Sequence, residues 1–590
     1  MDERTPTLGR FMRRAAFMGF IGGVVTIYLA VIGVVERFQP RALIIDVIGL
    51  GLAVPLIAML VVYYQSGRTP RSWPPHHVDR RRLALMPVLS GVVGGIALVA
   101  LVVVRSLDPI GFLPNLTERT IDILTLNAEL PVSAAVVFAF SAGLGVVAAV
   151  LHLLDQRVRR VLLVAGLVVV VLSLTEPLLR VVLLQLAVTL GLSPLADLAS
   201  FMYQSGGHGL TPPAAIISFV GALVVAAAAV LRGGATRARI AALPAGRQTG
   251  IQMGAIVVVA LVLLLLPAIV GTFLSEVVGT VGLFLLMGLG LNIVVGYAGL
   301  LDLGYVAFFA VGAYAAALLT SPVSSLGLGL SLWVALPIVM LVAAIAGIAI
   351  GAPVLRLRGD YLAIVTLGFG EIVRILLLSD WLRPFFGGAQ GVLQIPPPDL
   401  LGIRFFGPQQ LYYPILISVI IGAVVAWSLA NSRVGRAWNA MREDEDVAEA
   451  TGINTTRYKL LAFAIGAVYG CIAGSFLAVK LGSVFPHNLN ILVSITVLAL
   501  IILGGMGSIR GVIVGAVVLV GLPELLREFG EYRLLIYGAV LVAMMILRPE
   551  GLLPSATRKR ELHEEEPEET QYLHQAGGDT GGPGIKGAPA

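Results

Sequence analysis

Three side chains that could bind or move a charged solute fall inside one apolar run, residues 361–378: Thr366, Glu371 and Arg374. An ionisable side chain at the centre of a membrane helix costs about 2.5–3.5 kcal/mol on insertion scales, so such residues usually face protein or a wet path. Glu371 and Arg374 are three residues apart and are neighbours on one helical face, where they can neutralise each other. The pattern fits a pathway for a polar solute and, equally, a structural ion pair. A zwitterionic amino acid would suit paired polar groups, as would a small amide.

A fourth candidate, Asp302, lies at the start of another apolar run among Gly296, Gly299, Gly304 and Gly312. Such glycines permit a helix break or a close approach between helices, and tight packing is their ordinary use in a bilayer. Counting loops places Asp302 near the cytoplasmic interface. We expect its carboxylate to be solvated there, in which case it need not bind substrate.

The longest stretch of mixed charge between apolar runs is NSRVGRAWNAMREDEDVAEATGINTTRYK, residues 431–459. A polar stretch of this length must contact water or another protein, and its arginine-rich start places it in the cytoplasm. We predict a helix with acidic residues early, where the helix dipole favours them, and a stop at Gly452. The acidic residues are Glu443, Asp444, Glu445, Asp446 and Glu449. The stretch predicts a docking site for a cytoplasmic protein; the alternative is a solvated surface helix.

The composition requires a membrane around these candidates. Of 590 residues, 58% are hydrophobic and 13% are charged, and the mean hydropathy of +0.94 is far above that of soluble proteins. The formal charge of +6 does not indicate nucleic-acid binding, because the basic residues fall in short loops between apolar runs. The single cysteine, Cys471, excludes an intrachain disulfide. We expect no signal peptide, because the first apolar stretch has full spanning length and no cleavage pattern.

Apolar runs long enough to cross roughly 30 Å of hydrocarbon predict an all-α polytopic transmembrane bundle with about sixteen spans. They cover residues 15–35, 43–64, 83–104, 131–154, 161–192, 211–231, 256–271, 277–296, 303–319, 332–354, 361–378, 411–429, 460–479, 491–503, 512–526 and 534–547. Every second loop of the first 250 residues is basic, which predicts cytoplasmic ends for this block and, by continued alternation, a cytoplasmic C-terminus.

Two of these runs contain signs of a break. Glu176, Pro177 and Arg180 interrupt the fifth run, which is therefore either one kinked helix or two half-helices. Gly504, Gly505 and Gly507 follow the run 491–503 and allow a re-entrant or broken helix.

Motifs for catalysis and for ATP binding are missing. No lysine stands in the frame G-x-x-x-x-G-K-[ST], no histidine belongs to an HExxH or Cys/His cluster, and no G-x-S-x-G turn occurs. The sequence predicts a chain that is not an enzyme, hydrolyses no ATP and binds no metal or cofactor of its own.

Three stretches, taken together, resemble the LivM-type permease subunit of branched-chain amino-acid ABC transporters. They are GLLDLGYVAFFAVGAYAAALL (299–319), RGDYLAIVTLGFGEIVRILL (358–377) and residues 433–463 with REDEDVAEATGINTTRYKLLAF. Weaker support comes from LGGMGSIRG (503–511) and from LPELLREFGEYRLLIYG with LRPEGLL near the end. The resemblance covers residues 251–553, and Asp302 stands where the family usually has asparagine.

The resemblance implies partners: a second, LivH-like permease subunit, cytoplasmic ATPase subunits that use ATP and Mg, and an extracytoplasmic substrate-binding protein. It also implies a short coupling helix that lodges in an ATPase groove, with an acidic residue, two small residues and then glycine. This coupling segment comprises Asp446, Val447, Ala448, Glu449 and Gly452. Asp446 replaces a glutamate and Val447 an alanine of the family pattern.

We therefore predict three regions: residues 1–250, a transmembrane extension of about six helices with no assigned role; 251–555, an ABC importer permease core; and 556–590, a disordered cytoplasmic tail. The predicted function is uptake of branched-chain amino acids across the plasma (inner) membrane, with both termini cytoplasmic. Asp302, Thr366, Glu371 and Arg374 are the candidates for the substrate pathway. The alternatives are a permease for urea, short amides or other amino acids, and a secondary transporter that works alone.

Overall fold

The computed structural model describes residues 8–68, 80–106, 116–129, 131–204, 209–241, 245–354, 360–400 and 402–525, together with 530, 532, 535, 538, 541–542 and 551–554. The chain divides into two compact units, Met1–Leu263 and Leu264–Ala590. Helices dominate both units, so the predicted all-α class is confirmed. The predicted tail, 556–590, lies outside the described residues.

The first unit contains ten complete helices among its described residues, the start of a long eleventh, and one small antiparallel hairpin. In chain order these are α1 (Leu8–Val31), α2 (Val34–Phe38), β1 (Ala42–Ile44), β2 (Ile48–Gly49), α3 (Leu50–Ser66), α4 (Arg80–Ser106), α5 (Glu118–Thr125), α6 (Val132–Leu153), α7 (Gln156–Leu174), α8 (Glu176–Leu190), α9 (Ser193–Met202), α10 (Pro212–Ala241) and the beginning of α11 (Ala245–Leu291).

Small residues let the helices of the first unit pack closely. A Cβ atom on Gly145 of α6 would lie only 3.0 Å from the Gly91 Cα of α4. Tyr63 of α3 is fully buried, and its hydroxyl lies 2.8 Å from the Ser141 Oγ. Ser90 donates a hydrogen bond of 2.8 Å to the carbonyl of residue 15. Close backbone contact and interhelical hydrogen bonds of this kind replace the hydrophobic driving force that lipid does not supply.

The fifth predicted run is broken. α7 and α8 are bent by 73° around Thr175, which agrees with two half-helices and not with one gently kinked span. Glu176 opens α8 and is buried, and its carboxylate accepts a hydrogen bond of 2.6 Å from the Gly209 amide. Pro177 occupies the first turn of α8, where its missing N–H costs no hydrogen bond.

The second unit holds the rest of α11, followed by α12 (Val306–Thr320), α13 (Leu332–Val354), α14 (Asp360–Leu378), α15 (Arg383–Phe386), β3 (Asp399–Leu400), β4 (Ile403–Arg404), α16 (Pro408–Ala430), α17 (Arg433–Glu443), α18 (Glu445–Ala450), α19 (Thr455–Leu481), α20 (Ile491–Gly504), α21 (Ile509–Ala516) and α22 (Leu522–Leu525). π-helical turns follow α11 (Asn292–Tyr297) and α21 (Val517–Gly521), and short 3-10 turns lie at Gly388–Gln390 and Pro486–Asn488.

Helix α19 is the centre of the second unit and packs against α12 and α13. A Cβ on Gly312 would lie 2.2 Å from the Cys471 carbonyl oxygen, and a Cβ on Gly347 would lie 2.8 Å from the Ala464 Cα. Cys471 is fully buried, and its Sγ lies 2.9 Å from the Phe308 carbonyl. Gly312 therefore serves close packing, as the sequence predicts, and Cys471 packs against it.

The predicted number of about sixteen spans is not confirmed. Ten helices of the described residues are long and apolar enough to cross a membrane, or eleven with α7 and α8 as one bent span. The runs 43–64 and 303–319 form helices of only 17 and 15 residues. The runs 256–271 and 277–296 join in one stretch, Val259–Tyr297, which bends at Gly271 with φ 74°. Much of the run 534–547 lies outside the described residues.

The glycines after α20 form a turn between two packed helices. Gly505 and Gly507 have φ values of 116° and 75°, which only glycine adopts readily. The turn returns the chain so that a Cβ on Gly515 of α21 would lie 2.3 Å from the Leu500 carbonyl oxygen. The predicted break is present, and the Gly507 amide donates to Asn292 Oδ1 at 2.8 Å.

Candidate transport pathway and coupling loop

Asp302 lies in the loop between the π-helical turn and α12 and is only 2% exposed. Its Oδ1 accepts a hydrogen bond of 2.8 Å from the Gly304 amide. Its Oδ2 is buried and has no hydrogen-bond partner among the described residues. The expectation that this carboxylate is solvated is therefore wrong.

Gly304 explains how the carboxylate becomes covered. A Cβ at this position would lie 1.9 Å from the Thr366 carbonyl oxygen, so only glycine lets α14 approach the loop this closely. The Thr366 hydroxyl accepts a hydrogen bond of 3.0 Å from the Leu303 amide and donates one of 3.0 Å to the Ala363 carbonyl. The structure thus brings Asp302 and Thr366 together across a glycine contact.

Burial raises the pKa of Asp302 to about 6, although the hydrogen bond from the Gly304 amide lowers it in part. The cause is the loss of water around the charged form, which a single backbone donor does not replace. The carboxyl group therefore changes protonation within a physiologically accessible pH range.

Glu371 and Arg374 form an ion pair on α14. The Arg374 Nε lies 3.0 Å from both carboxylate oxygens of Glu371, and Nη2 also contacts Oε1. Both side chains are partly exposed, Arg374 by 28% and Glu371 by 39%. The predicted pairing is present. No contact among the described residues joins this pair to Asp302 or Thr366, so the four candidates form two separate polar groups.

An apolar cavity of about 430 Å³ lies between α12, α13 and α14, and neither Glu371 nor Arg374 is among the described residues that line it. Its walls include Tyr314, Ala315, Ile338, Val373, Leu377 and Phe386. The Tyr314 hydroxyl is buried and has no hydrogen-bond partner among the described residues. Leu377 is three residues beyond Arg374, so the two side chains are neighbours on the surface of α14.

The charged stretch 431–459 folds as two helices with a break at Asp444. Ser432 caps α17 by accepting hydrogen bonds from the Val434 and Gly435 amides at 3.1 and 3.4 Å. Asp444 caps α18 by accepting one of 3.0 Å from the Val447 amide. Side-chain acceptors at these positions satisfy the free amides of a helix start. Glu443 ends α17 and does not lie early in a helix, so its predicted placement is wrong.

The six-residue helix α18 has an inner and an outer side. Ala448 is only 2% exposed, whereas Val447 is 59% exposed and Asp446 and Glu449 are also exposed. The chain leaves the helix at Gly452 with φ 91°, the left-handed conformation that commonly ends a helix. Asp446, Val447, Ala448 and Glu449 therefore share one short helix and Gly452 follows it, but Ala448 faces this chain itself.

Contacts made by α17 and its neighbours hold the loop against the helical core. The Trp438 ring is fully buried, and its Nε1 donates to the Tyr458 carbonyl at 2.8 Å. The Arg442 Nη1 donates to the Gly296 carbonyl at 2.6 Å. The loop is thus attached both to the start of α19 and to the π-helical turn that follows α11.

Lys459 is 6% exposed and forms an ion pair with Glu445 at the start of α18. A side chain that extends to the lipid headgroups would be exposed, so Lys459 does not do so. The pair ties α18 to the first turn of α19. A second buried lysine, Lys480, lies 3.0 Å from Glu276 near the opposite end of α19.

Sequence reasoning missed Tyr314, Trp438, Arg442 and the Glu445–Lys459 pair. Tyr314 lies in the stretch 299–319, which resembles the permease family, but it has no charge that would indicate a site residue. The opposite charges of Glu445 and Lys459 were visible, but their pairing depends on the turn between α18 and α19. Among the described residues, no group of three or more His, Cys, Asp or Glu side chains is arranged to hold a metal ion.

Comparison with known sequences identifies the region that contains these sites. Residues 273–547 match the family described as "Branched-chain amino acid transport system / permease component". The chain is 45% identical over 270 residues to the high-affinity branched-chain amino acid transport system permease protein LivM of Salmonella typhimurium. The aligned region covers 42% of this chain and 62% of that protein. The corresponding LivM of Escherichia coli is 44% identical over 270 residues, with the same coverage.

The permease protein LivH of Escherichia coli is also similar, with 34% identity over 125 residues, 21% of this chain and 40% of that protein. The chain thus spans about three fifths of the length of the LivM relatives, and the family match begins at residue 273. No solved structure matches the chain. Residues 273–547, which contain both candidate polar groups and the α17–α18 loop, match this permease family, as the LivM-type motifs predict.

Proposed function

We propose that this chain is a multi-pass permease subunit of an ABC importer for branched-chain amino acids, with ATP hydrolysed by cytoplasmic partner subunits. The observation that supports it is the family match over residues 273–547, within which α18 forms a capped, exposed helix. The proposed assembly includes a second, LivH-like permease subunit and an extracytoplasmic substrate-binding protein. Its proposed location is the plasma (inner) membrane, with both termini cytoplasmic.

The outer side of α18 is the proposed contact with the ATPase. It presents Val447 between Asp446 and Glu449, an apolar anchor flanked by carboxylates. A short helix with one apolar anchor suits insertion into a groove of a partner protein. Ala448 fixes the inner side, so we assign the ATPase contact to Val447 and not to Ala448.

The inner contacts of the loop give a route for the motion. A displacement of α18 would act on α19 through the Glu445–Lys459 pair. It would act on the end of α11 through the Arg442–Gly296 hydrogen bond. Since α19 packs against α12 and α13, we propose that ATPase closure tilts these helices and opens the cargo path to alternate sides.

The ion pair on α14 supports a second permease subunit. Glu371 and Arg374 remain partly exposed in this chain, whereas charged side chains in a membrane helix face protein or water. We propose that the LivH-like subunit covers this face of α14 and that the cargo path runs between the two subunits. The ion pair would meet the ammonium and carboxylate groups of the cargo.

The neighbouring apolar cavity fits the other half of a branched-chain amino acid. Its volume of about 430 Å³ and aliphatic walls match the apolar type of small-ligand site. In the proposed pose, the aliphatic side chain enters the cavity while the zwitterionic end stays at Glu371 and Arg374. Ala315→Phe would fill this space and lower leucine uptake at least tenfold, while uptake of the smaller cargo alanine, if it is carried, would fall less.

The coupling proposal is tested by Val447→Asp in the complete complex. We expect loss of ATPase co-purification and at least a tenfold fall in leucine uptake, because a carboxylate would replace the apolar anchor. Val323→Asp is the matched control, since Val323 is 65% exposed in the loop after α12. It should keep ATPase binding. Normal ATPase binding by Val447→Asp would remove the coupling role of α18.

Two further measurements separate the alternatives. The purified chain in liposomes should carry no gradient-driven leucine flux, whereas flux without ATPase partners would favour a secondary transporter. In the complex, unlabelled isoleucine and valine should compete with leucine uptake, and competition by urea or acetamide alone would favour the amide alternative. A cysteine at position 447 should react with an impermeant reagent only after cell permeabilisation, because the loop is proposed to be cytoplasmic. Native Cys471 is fully buried and should add little background labelling.

A further inference from the structure

A basic pocket of about 520 Å³ lies in the first unit, where α3 and α6 end and α4 and α7 begin. Residues that line it include Tyr64, Arg68, Leu83, His152, Asp155 and Arg159. None of these residues belongs to the region matched by the permease family, which begins at residue 273. The pocket therefore requires an explanation separate from the transport core.

The floor of the pocket is a rigid aromatic pair. The rings of Tyr64 and His152 stack with centroids 4.5 Å apart and planes 13° from parallel. The His152 Nε2 donates to the Tyr64 carbonyl at 2.7 Å and thereby satisfies an acceptor at the end of α3. A Cβ on Gly67 would lie 2.6 Å from the same nitrogen, so glycine is needed for this approach. The pair is fixed before any ligand binds.

Two arginines lie above this floor. The Arg68 and Arg159 guanidinium carbons are 5.4 and 5.9 Å from the Tyr64 ring centroid, within cation–π range. Arg68 makes a hydrogen bond of 3.5 Å to Gln65, and neither arginine forms an ion pair with a carboxylate of the described chain. Two guanidinium groups close to one ring, without a carboxylate partner among the described residues, can together bind an anion.

The one acidic side chain of the pocket does not cancel this charge. Asp155 is exposed and caps α7, where its Oδ2 accepts a hydrogen bond of 3.3 Å from the Arg157 amide. The pocket lining thus has two positive charges against one negative charge.

An apolar groove of about 340 Å³ continues from the region of Leu83. It lies between α1 and α4 and is lined by Phe11, Met12, Leu85, Met86, Val88 and Leu89. Leu83 lines the basic pocket and also packs in the cluster formed by Phe11, Ala15 and Met86. A polar anion site and an apolar groove are therefore neighbours on the first turns of α4.

We propose that this pair of sites binds an anionic phospholipid, with its phosphate group at Arg68 and Arg159 and an acyl chain in the α1–α4 groove. Basic pockets between membrane helices on the cytoplasmic side suit phosphate headgroups, and the basic loops place this end of the unit in the cytoplasm. Arginine suits the role, because its planar fork binds phosphate oxygens in a bidentate way. The groove favours a lipid over a free phosphate compound.

The test measures lipid retention by the full chain in detergent with native mass spectrometry. Dioleoylphosphatidylglycerol and dioleoylphosphatidylcholine are titrated separately, and inorganic phosphate is the soluble probe. We expect one phosphatidylglycerol bound at least tenfold more tightly than phosphatidylcholine, and no competition by millimolar phosphate. The double variant Arg68→Gln/Arg159→Gln should lose this preference.

Arg160→Gln/Arg157→Gln is the matched control, since both residues are exposed on the same turn of α7 and are not among the described pocket residues. It should keep the preference within twofold. Equal losses in the two double variants would show diffuse charge attraction and would overturn the proposal. Displacement of the lipid by inorganic phosphate would overturn the lipid assignment in favour of a soluble phosphate ligand. A variant Met86→Trp, which narrows the groove but keeps both arginines, should weaken phosphatidylglycerol binding; unchanged binding would also contradict the proposed pose.

Discussion

Asp302→Asn should stabilise the protein at neutral pH and have little effect in acid. The carboxylate is 2% exposed, and its Oδ2 has no partner among the described residues. Burial raises its pKa from 3.8 to about 6. At pH 7.5 the folded chain keeps the group charged at a cost that the unfolded chain does not have. The stability penalty appears as the pH rises from about 4 to about 6, and it is absent below 4, where the carboxyl is protonated in both states.

The size of the effect follows from the pKa change. A rise of roughly two units corresponds to about 3 kcal/mol at neutral pH. The new amide leaves an N–H group unpaired where Oδ2 was, which costs about 1 kcal/mol or more. We therefore expect a net gain of about 1–2 kcal/mol, or an increase in Tm on the order of 2–5 °C. Asparagine also retains the acceptor for the Gly304 amide.

Tryptophan fluorescence during heating in detergent is a suitable assay, because Trp438 is fully buried in the same unit. The Tm of Asp302→Asn should exceed that of the unsubstituted chain at pH 7.5, and it should be equal or slightly lower at pH 4, where only the cost of the unpaired amide N–H remains. Asp399→Asn is the matched control, since Asp399 lies in an exposed hairpin, 3.8 Å from Arg404. It should show no gain at pH 7.5. An equal loss of Tm at both pH values for Asp302→Asn would refute the reasoning, because it would mean that the carboxylate stabilises the fold.

Three other substitutions test the remaining contacts. Gly304→Ala should lower the Tm and expression sharply, because its Cβ would lie 1.9 Å from the Thr366 carbonyl oxygen. A neutral result would contradict the close approach, and Gly368→Ala on α14, with open space at the Cβ, serves as its control. Lys459→Met should lower the free energy of unfolding by about 1–3 kcal/mol, because it leaves Glu445 partly buried and unpaired. In chemical unfolding, adding Glu445→Gln should recover part of that loss. No recovery would show that the two residues are not coupled. Exchanging the pair, Glu371→Arg with Arg374→Glu, should restore the Tm lost by either single change but leave leucine uptake low, whereas full recovery of uptake would show that the pair is purely structural.

Local patterns predicted some features of the candidate sites. The spacing of Glu371 and Arg374 predicted their ion pair, because residues three apart on a helix are always neighbours. Gly452 ends α18 as predicted, since few other residues adopt a positive φ without strain. The acidic stretch was predicted as one helix, but Asp444 ends one helix and caps the next, because its short carboxylate binds the backbone amide of Val447.

The number of spans was harder to predict for a physical reason. A hydrophobic run shows that a segment prefers lipid or protein to water, but it does not show where the helix bends. The bend between α7 and α8 and the break at Gly271 depend on neighbouring contacts and on single residues. A count based on apolar length therefore accepts segments whose helices are too short to cross, such as α3 and α12.

The sequence alone determined that this is an α-helical membrane protein and that its charged stretch lies between membrane segments. It also showed that residues 251–553 resemble a permease core. Composition, run length and motifs are local properties, so the sequence contains them directly. Only the tertiary structure decided that Asp302 is buried, that Lys459 pairs with Glu445 and that Ala448 faces inward while Val447 faces outward. These outcomes depend on which backbones approach each other, such as Gly304 against Thr366, and residues 62 positions apart in the chain meet only once the helices have packed.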